Sequence, residues 1–339
     1  MTPSVTGRVV DELDRRIIIG LQQDGRASWT ALAEFADAPV STVARRGQQL
    51  LNDGIVRVDV LPTLGYDGYV ETYLIRINCT PGRQVEVAEK LVESPHVRFV
   101  ALVTGKFDIF AEVIISGESA NYTRVLTGLQ SIPGVERWRS DLLLHTHKVS
   151  FDWGRQLLPA AERQKQVRVR MPAPNTCDPG HFDDTDRRII AVLAEDGRAS
   201  FSSIAAELNV NESSVRRRYE RMRANGCLTP GTVVSAAALG MSAETLLLLR
   251  IEPSRLTAVA EELAEHDAVR FLAAPLDESA LYCELILPGT EALHQYLTHT
   301  IGTLEGVKGW SAHQELVFLK RGFVETSWWR DQVGQRGLD

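Results

Sequence analysis

Apolar residues recur at helical spacing in two stretches that are far apart in the chain. Leu13, Ile17, Ile18 and Leu21 lie on one stripe, which predicts a helix over roughly 12–22. The same pattern returns over roughly 184–194. Asp24-Gly25 and Asp196-Gly197 follow, where glycine suits a left-handed helix stop. Ser28 and Ser200 then stand as N-caps of a second helix, with Leu32-Ala33 or Ile204-Ala205 facing inward. A third helix is predicted near 40–52 and 212–225, with Asn211 as N-cap of the second copy and Pro39 at that place in the first. Sliding the chain by 172 residues aligns the two stretches without a gap, and 17 of 41 positions between Asp14 and Gly54 are identical. Such density marks an internal duplication.

At about 100° per residue, Val215, Tyr219 and Met222 share the inner stripe of the third helix. Ser213, Arg216, Arg217 and Glu220 point away, as do Ser41, Ala44, Arg45 and Gln48 in the first copy. An apolar back and an arginine-bearing front after a tight turn form a helix-turn-helix pattern, whose front can enter the major groove of double-stranded DNA. Arginine pairs bidentately with guanine edges or reaches phosphates. The candidate DNA-binding residues are therefore Ser41, Thr42, Ala44, Arg45 and Gln48 with Ser213, Ser214, Arg216, Arg217 and Arg221. The blander reading is a three-helix bundle with a solvated charged face.

After each helical unit the period changes from helical to alternating. A short strand at 57–61 precedes a strand at 69–78, a helix on Val85, Ala88, Leu91 and Val92, a hairpin of 97–103 with 107–115, a helix on Tyr122, Val125, Leu126 and Leu129, and a long strand at 135–149. The order repeats between Leu246 and Leu319. Strand, helix, strand, strand, helix, strand is the ferredoxin-like arrangement. The fold class expected is α+β: two winged-helix-type helix-turn-helix domains and two ferredoxin-like βαββαβ domains in tandem. The boundaries read are 8–58, 66–153, a linker rich in proline and charge at 159–181, then 182–230 and 241–327.

Net charge is −7, so nucleic-acid contact must come from local patches such as the five arginines of the third helix in copy two. The four cysteines are widely spaced and show no metal spacing, and no motif calls for a cofactor. His145 and His147 alternate on a strand without a visible third ligand. Neither a long apolar run nor a signal-like N-terminus is present, so no membrane partner is expected and the cytoplasm is the default location. Trp328 and Trp329 read as a docking element or a packed tail. Leu142, Leu144, Leu316 and Phe318 suggest a sheet face in need of a partner. The two sheets of one chain can supply it to each other as a pseudo-dimer.

The segments Leu13-Asp14-Arg15-Arg16-Ile17-Ile18, Asp24-Gly25-Arg26-Ala27-Ser28 and Ser41-Thr42-Val43-Ala44-Arg45-Arg46, with Leu50 and Gly54-Ile55-Val56, resemble the Lrp/AsnC family of transcription regulators. Thr104-Gly105-Lys106-Phe107-Asp108 is similar to that family's glycine turn. The likeness covers nearly the whole chain, twice. It implies promoter DNA as partner, homo-oligomerisation, and a small effector, typically an amino acid, bound near Thr104, Gly105, Lys106, Phe107 and Asp108. Glycine at 105 allows backbone amides to approach a carboxylate, and Lys106 adds charge; a plain hairpin turn is the alternative.

Two departures from the family pattern stand out. Gly47 replaces an apolar residue and predicts a packing gap that weakens the third helix of copy one, leaving copy two with most of the DNA affinity. In copy two the effector turn reads Leu276-Asp277-Glu278-Ser279-Ala280, without glycine. An enzyme resembling siroheme decarboxylase on the same architecture is the rival class. It would need basic and histidine residues converging on a tetrapyrrole, and the sequence shows no such histidine cluster.

Overall fold

The computed structural model describes residues 10–62, 70–116, 119–164, 167, 182–278, 280–326 and 329–330. Copy one contributes α1 (Glu12–Gln23), α2 (Trp29–Ala36), α3 (Val40–Asn52), β1 (Val56–Pro62), β2 (Val70–Cys79), α4 (Gln84–Val92), β3 (Val97–Val103), β4 (Ile109–Ser116), α5 (Ser119–Gln130) and β5 (Val135–Val149). Copy two contributes α6 (Asp184–Glu195), α7 (Phe201–Leu208), α8 (Glu212–Ala224), β6 (Leu228–Val234), β7 (Ala243–Ile251), α9 (Leu256–Ala264), β8 (Val269–Pro275), β9 (Leu281–Leu287), α10 (Thr290–Gln295), β10 (Val307–Arg321) and the short β11 (Val324–Glu325). These gather into two compact units. Of the described residues, one takes those of 71–156 and 236–330; the other takes those of 10–70 and 157–235. Each unit therefore holds one half from each copy.

In the sheet unit the two ferredoxin-like sheets run β3-β4-β2-β5 and β8-β9-β7-β10, and they join at both ends. The long strands make the joins. Up to Leu142, β5 pairs with β2; from Leu143 it pairs with β8 of the other copy. Likewise β10 follows β7 as far as Gln314 and β3 from Glu315. Ile75, Ile77, Val87, Leu91 and Val113 pack one sheet on its helices, and Leu247, Val259, Leu263 and Leu285 do so in the other. Between the sheets lie Leu74, Phe99, Phe110, Leu246, Leu248, Tyr282 and Phe318. The pseudo-dimer expected from the duplication is thus formed within one chain, but its inner residues differ from those expected. Phe318 is buried, whereas Leu144 and Leu316 stay exposed and Leu142 joins the helix-side core, because each long strand changes sheets at that point.

Reciprocal lysines reinforce the joins. Lys148 of β5 donates to the carbonyl of His266 past the end of α9 at 2.7 Å. Lys320 of β10 donates to Val92 and Ser94 at the end of α4, at 3.0 and 2.9 Å. Lys320 thereby satisfies the Val92 carbonyl that α4 leaves open, and each lysine adds a second donor to a turn carbonyl, Ser94 or His266, that already accepts from the amide of Val97 or Val269. Trp329 is buried in the copy-one core and donates to Glu325, a packed tail, while Trp328 lies outside the described residues. The linker does not run free where it is described. Glu162 accepts two bonds from Arg16, and the Val167 amide donates to Gln23. Residues 165–166 and 168–181, with Cys177, lie outside the described residues.

In the helical unit Ser28 and Ser200 cap α2 and α7 as expected, accepting from the amides of Ala31 and Ser203. Asn211 makes no side-chain cap bond. The glycine stops are corrected. Asp24 and Asp196 are extended, and neither Gly25 nor Gly197 has positive φ. The left-handed stops are Asp37 and Asn209, after α2 and α7. Gly25 and Gly197 answer a different need, close approach: a Cβ on Gly25 would meet Val58 Cγ1 at 2.6 Å, and one on Gly197 would meet the Val58 carbonyl at 2.6 Å.

That approach reflects an exchange between copies. Strands β1 and β6 pair antiparallel, Val56 opposite Val234 and Pro62 opposite Leu228. Val60 of copy one is buried in the helical core of copy two, and Thr232 of copy two donates to the carbonyl of Leu21 in copy one at 2.6 Å.

Candidate nucleic-acid interface

The third helices bury the predicted stripes: Val43, Gly47 and Leu50 on α3, and Val215, Tyr219 and Met222 on α8. Their opposite faces are open. Ser41, Arg45 and Gln48 are exposed, with Thr42 and Ala44 half-buried; Ser213, Arg216, Arg217 and Arg221 are exposed, with Ser214 half-buried.

The arginine-rich patch of copy two is smaller than composition suggests. Arg218 pairs with Asp183 and the buried Asp186 at 2.7 and 2.9 Å, Arg221 pairs with Asp186 at 2.6 Å, and Arg223 reaches Asp24 of the other copy at 3.0 Å. Arg46 makes the matching ties to Asp11 and Asp14 in copy one. These arginines fasten the third helix to the first. Arg216 forms a surface pair with Glu212 at 2.9 Å and lies over the Phe201 ring. Arg45 and Arg217 have no hydrogen bond or ion pair with the protein among the described residues. They occupy equivalent places in the two copies.

The expected gap at Gly47 does not exist. A Cβ there would lie 2.3 Å from Trp29 Cζ3, because the Trp29 ring fills the space that Tyr219 takes in copy two. Copy one pairs tryptophan with glycine where copy two pairs Phe201 with Tyr219, ring centroids 5.3 Å apart. The structural reason for a weaker α3 is therefore gone.

What the outward faces did not reveal is how the two heads are held together. Arg26 donates to the carbonyls of Gly197 and Ala199 and lies over Phe201 and Tyr219 at 4.9 and 5.0 Å. Arg198 answers with bonds to Gly25 and Ala27 at 2.5 and 3.1 Å and lies 4.4 Å above Trp29. Burial lowers the pKa of both guanidiniums. The signal was in the sequence: Asp-Gly-Arg-Ala-Ser is identical in the two copies, as a shared contact across a pseudo-twofold requires.

In the sheet unit, the five residues assigned to an effector turn divide. Gly105 has φ 102, and Gly105 and Lys106 are exposed. Thr104 is tied to β10, its amide donating to the Gln314 carbonyl and its hydroxyl accepting from the Gln314 amide. Asp108 accepts from the Cys79 amide at 2.8 Å. Phe107 is buried and stacks on His313 at 4.2 Å. His313 was not anticipated. Its Nδ1 bonds the Thr104 carbonyl at 2.8 Å, its Nε2 is buried without a partner among the described residues, and burial lowers its pKa. His145 and His147 lie edge to face, centroids 4.6 Å apart, and burial lowers the His147 pKa. Among the described residues no helix is long and apolar enough to cross a membrane, and no cluster of three metal-binding side chains occurs.

Paired helix-turn-helix heads joined in one chain to paired ferredoxin-like sheets define a class, the tandem helix-turn-helix regulators with an attached ligand-binding fold. Residues 10–51 and 182–223 match the AsnC-type helix-turn-helix domain, and residues 72–152 match the Lrp/AsnC ligand binding domain. The chain is 33% identical over 147 residues to an uncharacterised HTH-type transcriptional regulator of Pyrococcus furiosus, covering 43% of this chain and 97% of that protein. It is 29% identical over 127 residues to the regulator LrpA of Pyrococcus horikoshii, covering 37% and 90%. The chain belongs to the Lrp/AsnC family of transcriptional regulators. The structure of the siroheme decarboxylase NirDL shares the fold, with a TM-score of 0.59 over 96% of this chain and 99% of that one, at 15% identity.

Proposed function

We propose that the chain regulates transcription by reading double-stranded DNA with two unequal heads, in the cytoplasm and as a homo-oligomer, and that a small effector such as an amino acid binds at the Gly105 turn. The observation that carries this reading is the pair of open arginines, Arg45 and Arg217, without a hydrogen bond or ion pair among the described residues, on helices whose backs are packed and which Arg46 and Arg218 tie to the start of the first helix. The heads are linked through Arg26 and Arg198, so one chain can address two half-sites of an imperfect palindrome. Because the heads differ, the preferred site is asymmetric. Copy two carries two outward arginines, Arg216 and Arg217, against Arg45 in copy one, and so supplies the larger share of affinity.

Promoter DNA captured with the protein, followed by fluorescence anisotropy over a salt series, tests this. Affinity should fall steeply with salt. Arg216→Ala with Arg217→Ala should weaken binding more than Arg45→Ala does. If Arg45→Ala abolishes binding and the double variant does not, the ranking is wrong. Salt-independent or absent binding sinks the regulator reading, and tetrapyrrole absorbance changes on addition of a siroheme analogue would favour the enzyme. For the effector, thermal shifts with amino acids should appear in the parent and vanish in Gly105→Glu.

A further inference from the structure

The duplication lets the two hairpin turns of the sheet unit be compared position by position. In copy one the turn is open at Gly105. At the same offset in copy two stands Asp277, whose side chain is fully buried. Its carboxylate takes four donors. One oxygen accepts from the Glu278 amide at 2.7 Å and from Arg139; the other accepts from Arg76 at 3.0 Å and lies 3.1 Å from the Tyr282 hydroxyl. Both arginines come from the opposite copy, Arg76 on β2 and Arg139 on β5.

Asp141 completes the group, meeting Arg76 at 2.5 Å and Arg139 Nε at 3.2 Å. Two guanidiniums thus face two carboxylates and the cluster closes with no net charge. Burial pushes the Tyr282 phenol far above its ordinary pKa, so it stays a donor. Planar guanidinium forks are the side chains best suited to grip a carboxylate.

Around the copy-one turn the equivalent positions are Leu248, Ser311, His313 and Phe110, in place of Arg76, Arg139, Asp141 and Tyr282. The copies are therefore not two grades of one site. One turn is open; the other is a receptor with a carboxylate already in it.

We propose that the copy-two turn is a carboxylate-binding site that the chain fills with its own Asp277, so that this half is held permanently in an occupied arrangement. Its regulatory corollary rests on the effector reading above: each chain responds through the Gly105 turn alone, one effector per chain.

The test uses the full chain with Asp277→Ala and sodium acetate as probe, against sodium chloride at equal ionic strength. Acetate should raise the melting temperature of Asp277→Ala saturably, by about 2 °C or more. The parent, and Asp277→Ala combined with Arg76→Met, should not respond. If Asp277→Ala fails to fold, its refolding yield in acetate against chloride gives the answer, and only recovery in acetate supports the proposal. A folded Asp277→Ala without an acetate response, or a parent that responds equally, overturns it. Calorimetry with the tightest-binding of the twenty L-amino acids should give one equivalent per parent chain; two equivalents overturn the corollary. If none of the twenty binds, the effector reading and its corollary fall, while the acetate experiment still decides the receptor.

Discussion

Gly47 shows how a single side chain can be misread along the sequence and understood in space. A glycine inside a helix costs about 1 kcal/mol relative to alanine. Here the penalty is offset by the Trp29 ring that sits in its place. Gly47→Ala should therefore destabilise, by about 1–3 kcal/mol, as overpacking does. Denaturant unfolding checks this, and a gain in stability would show that Trp29 yields freely. Glu315 is the second such residue. Both its oxygens are buried without a hydrogen-bond partner among the described residues. Burial first, and then Glu284, holds its pKa well above the ordinary carboxyl value. A group raised in this way lends stability below the ordinary carboxyl range, and that stability is lost as pH climbs through the folded-state value. Melting temperature should fall as pH rises above the ordinary carboxyl range, and Glu315→Gln should flatten the fall. An unchanged slope would place the proton elsewhere.

Among the elements, helices and strands were legible because their periods lie along the chain. The 3.6-residue stripes of α1 and α6 and the hairpin of β3 with β4 follow from residues a few places apart. What period cannot show is which strand a strand meets. Nothing local in β5 marks Leu143 as the point where its partner changes from β2 to β8. Gly25 and Gly197 read as left-handed helix stops for the same reason, since the Val58 strand that crowds them is distant in sequence. The open faces of α3 and α8 were readable from helical angle, but the arginines spent on Asp11, Asp14, Asp183 and Asp186 were not. Contacts at the strand joins carry a measurable part of the stability. Lys320→Met, which strips the Val92 carbonyl of its donor and leaves Ser94 with the Val97 amide alone, should cost about 1–3 kcal/mol. A variant as stable as the parent would show that those carbonyls turn to water.

For the whole molecule, a net charge of −7 makes DNA binding a matter of placement rather than bulk attraction. Linkage of the heads should then matter as much as the outward arginines of α3 and α8. Arg198→Met removes the bonds to Gly25 and Ala27 and leaves α3 and α8 chemically unchanged. Affinity for a complete operator should drop about tenfold or more, while affinity for an isolated half-site stays the same. Equal losses on both would mean that the arginine serves only the fold.

The switching of β5 and β10 between sheets has a consequence for the cell as well as for the fold. The second half of each copy's final strand is spent on its tethered twin, which is present at an effective concentration in the millimolar range. A free single-repeat relative would have to displace that twin to form a mixed pair. Fusion of the repeats thus isolates this regulator from subunit exchange, and two heads that have diverged in sequence stay matched to each other in every molecule made.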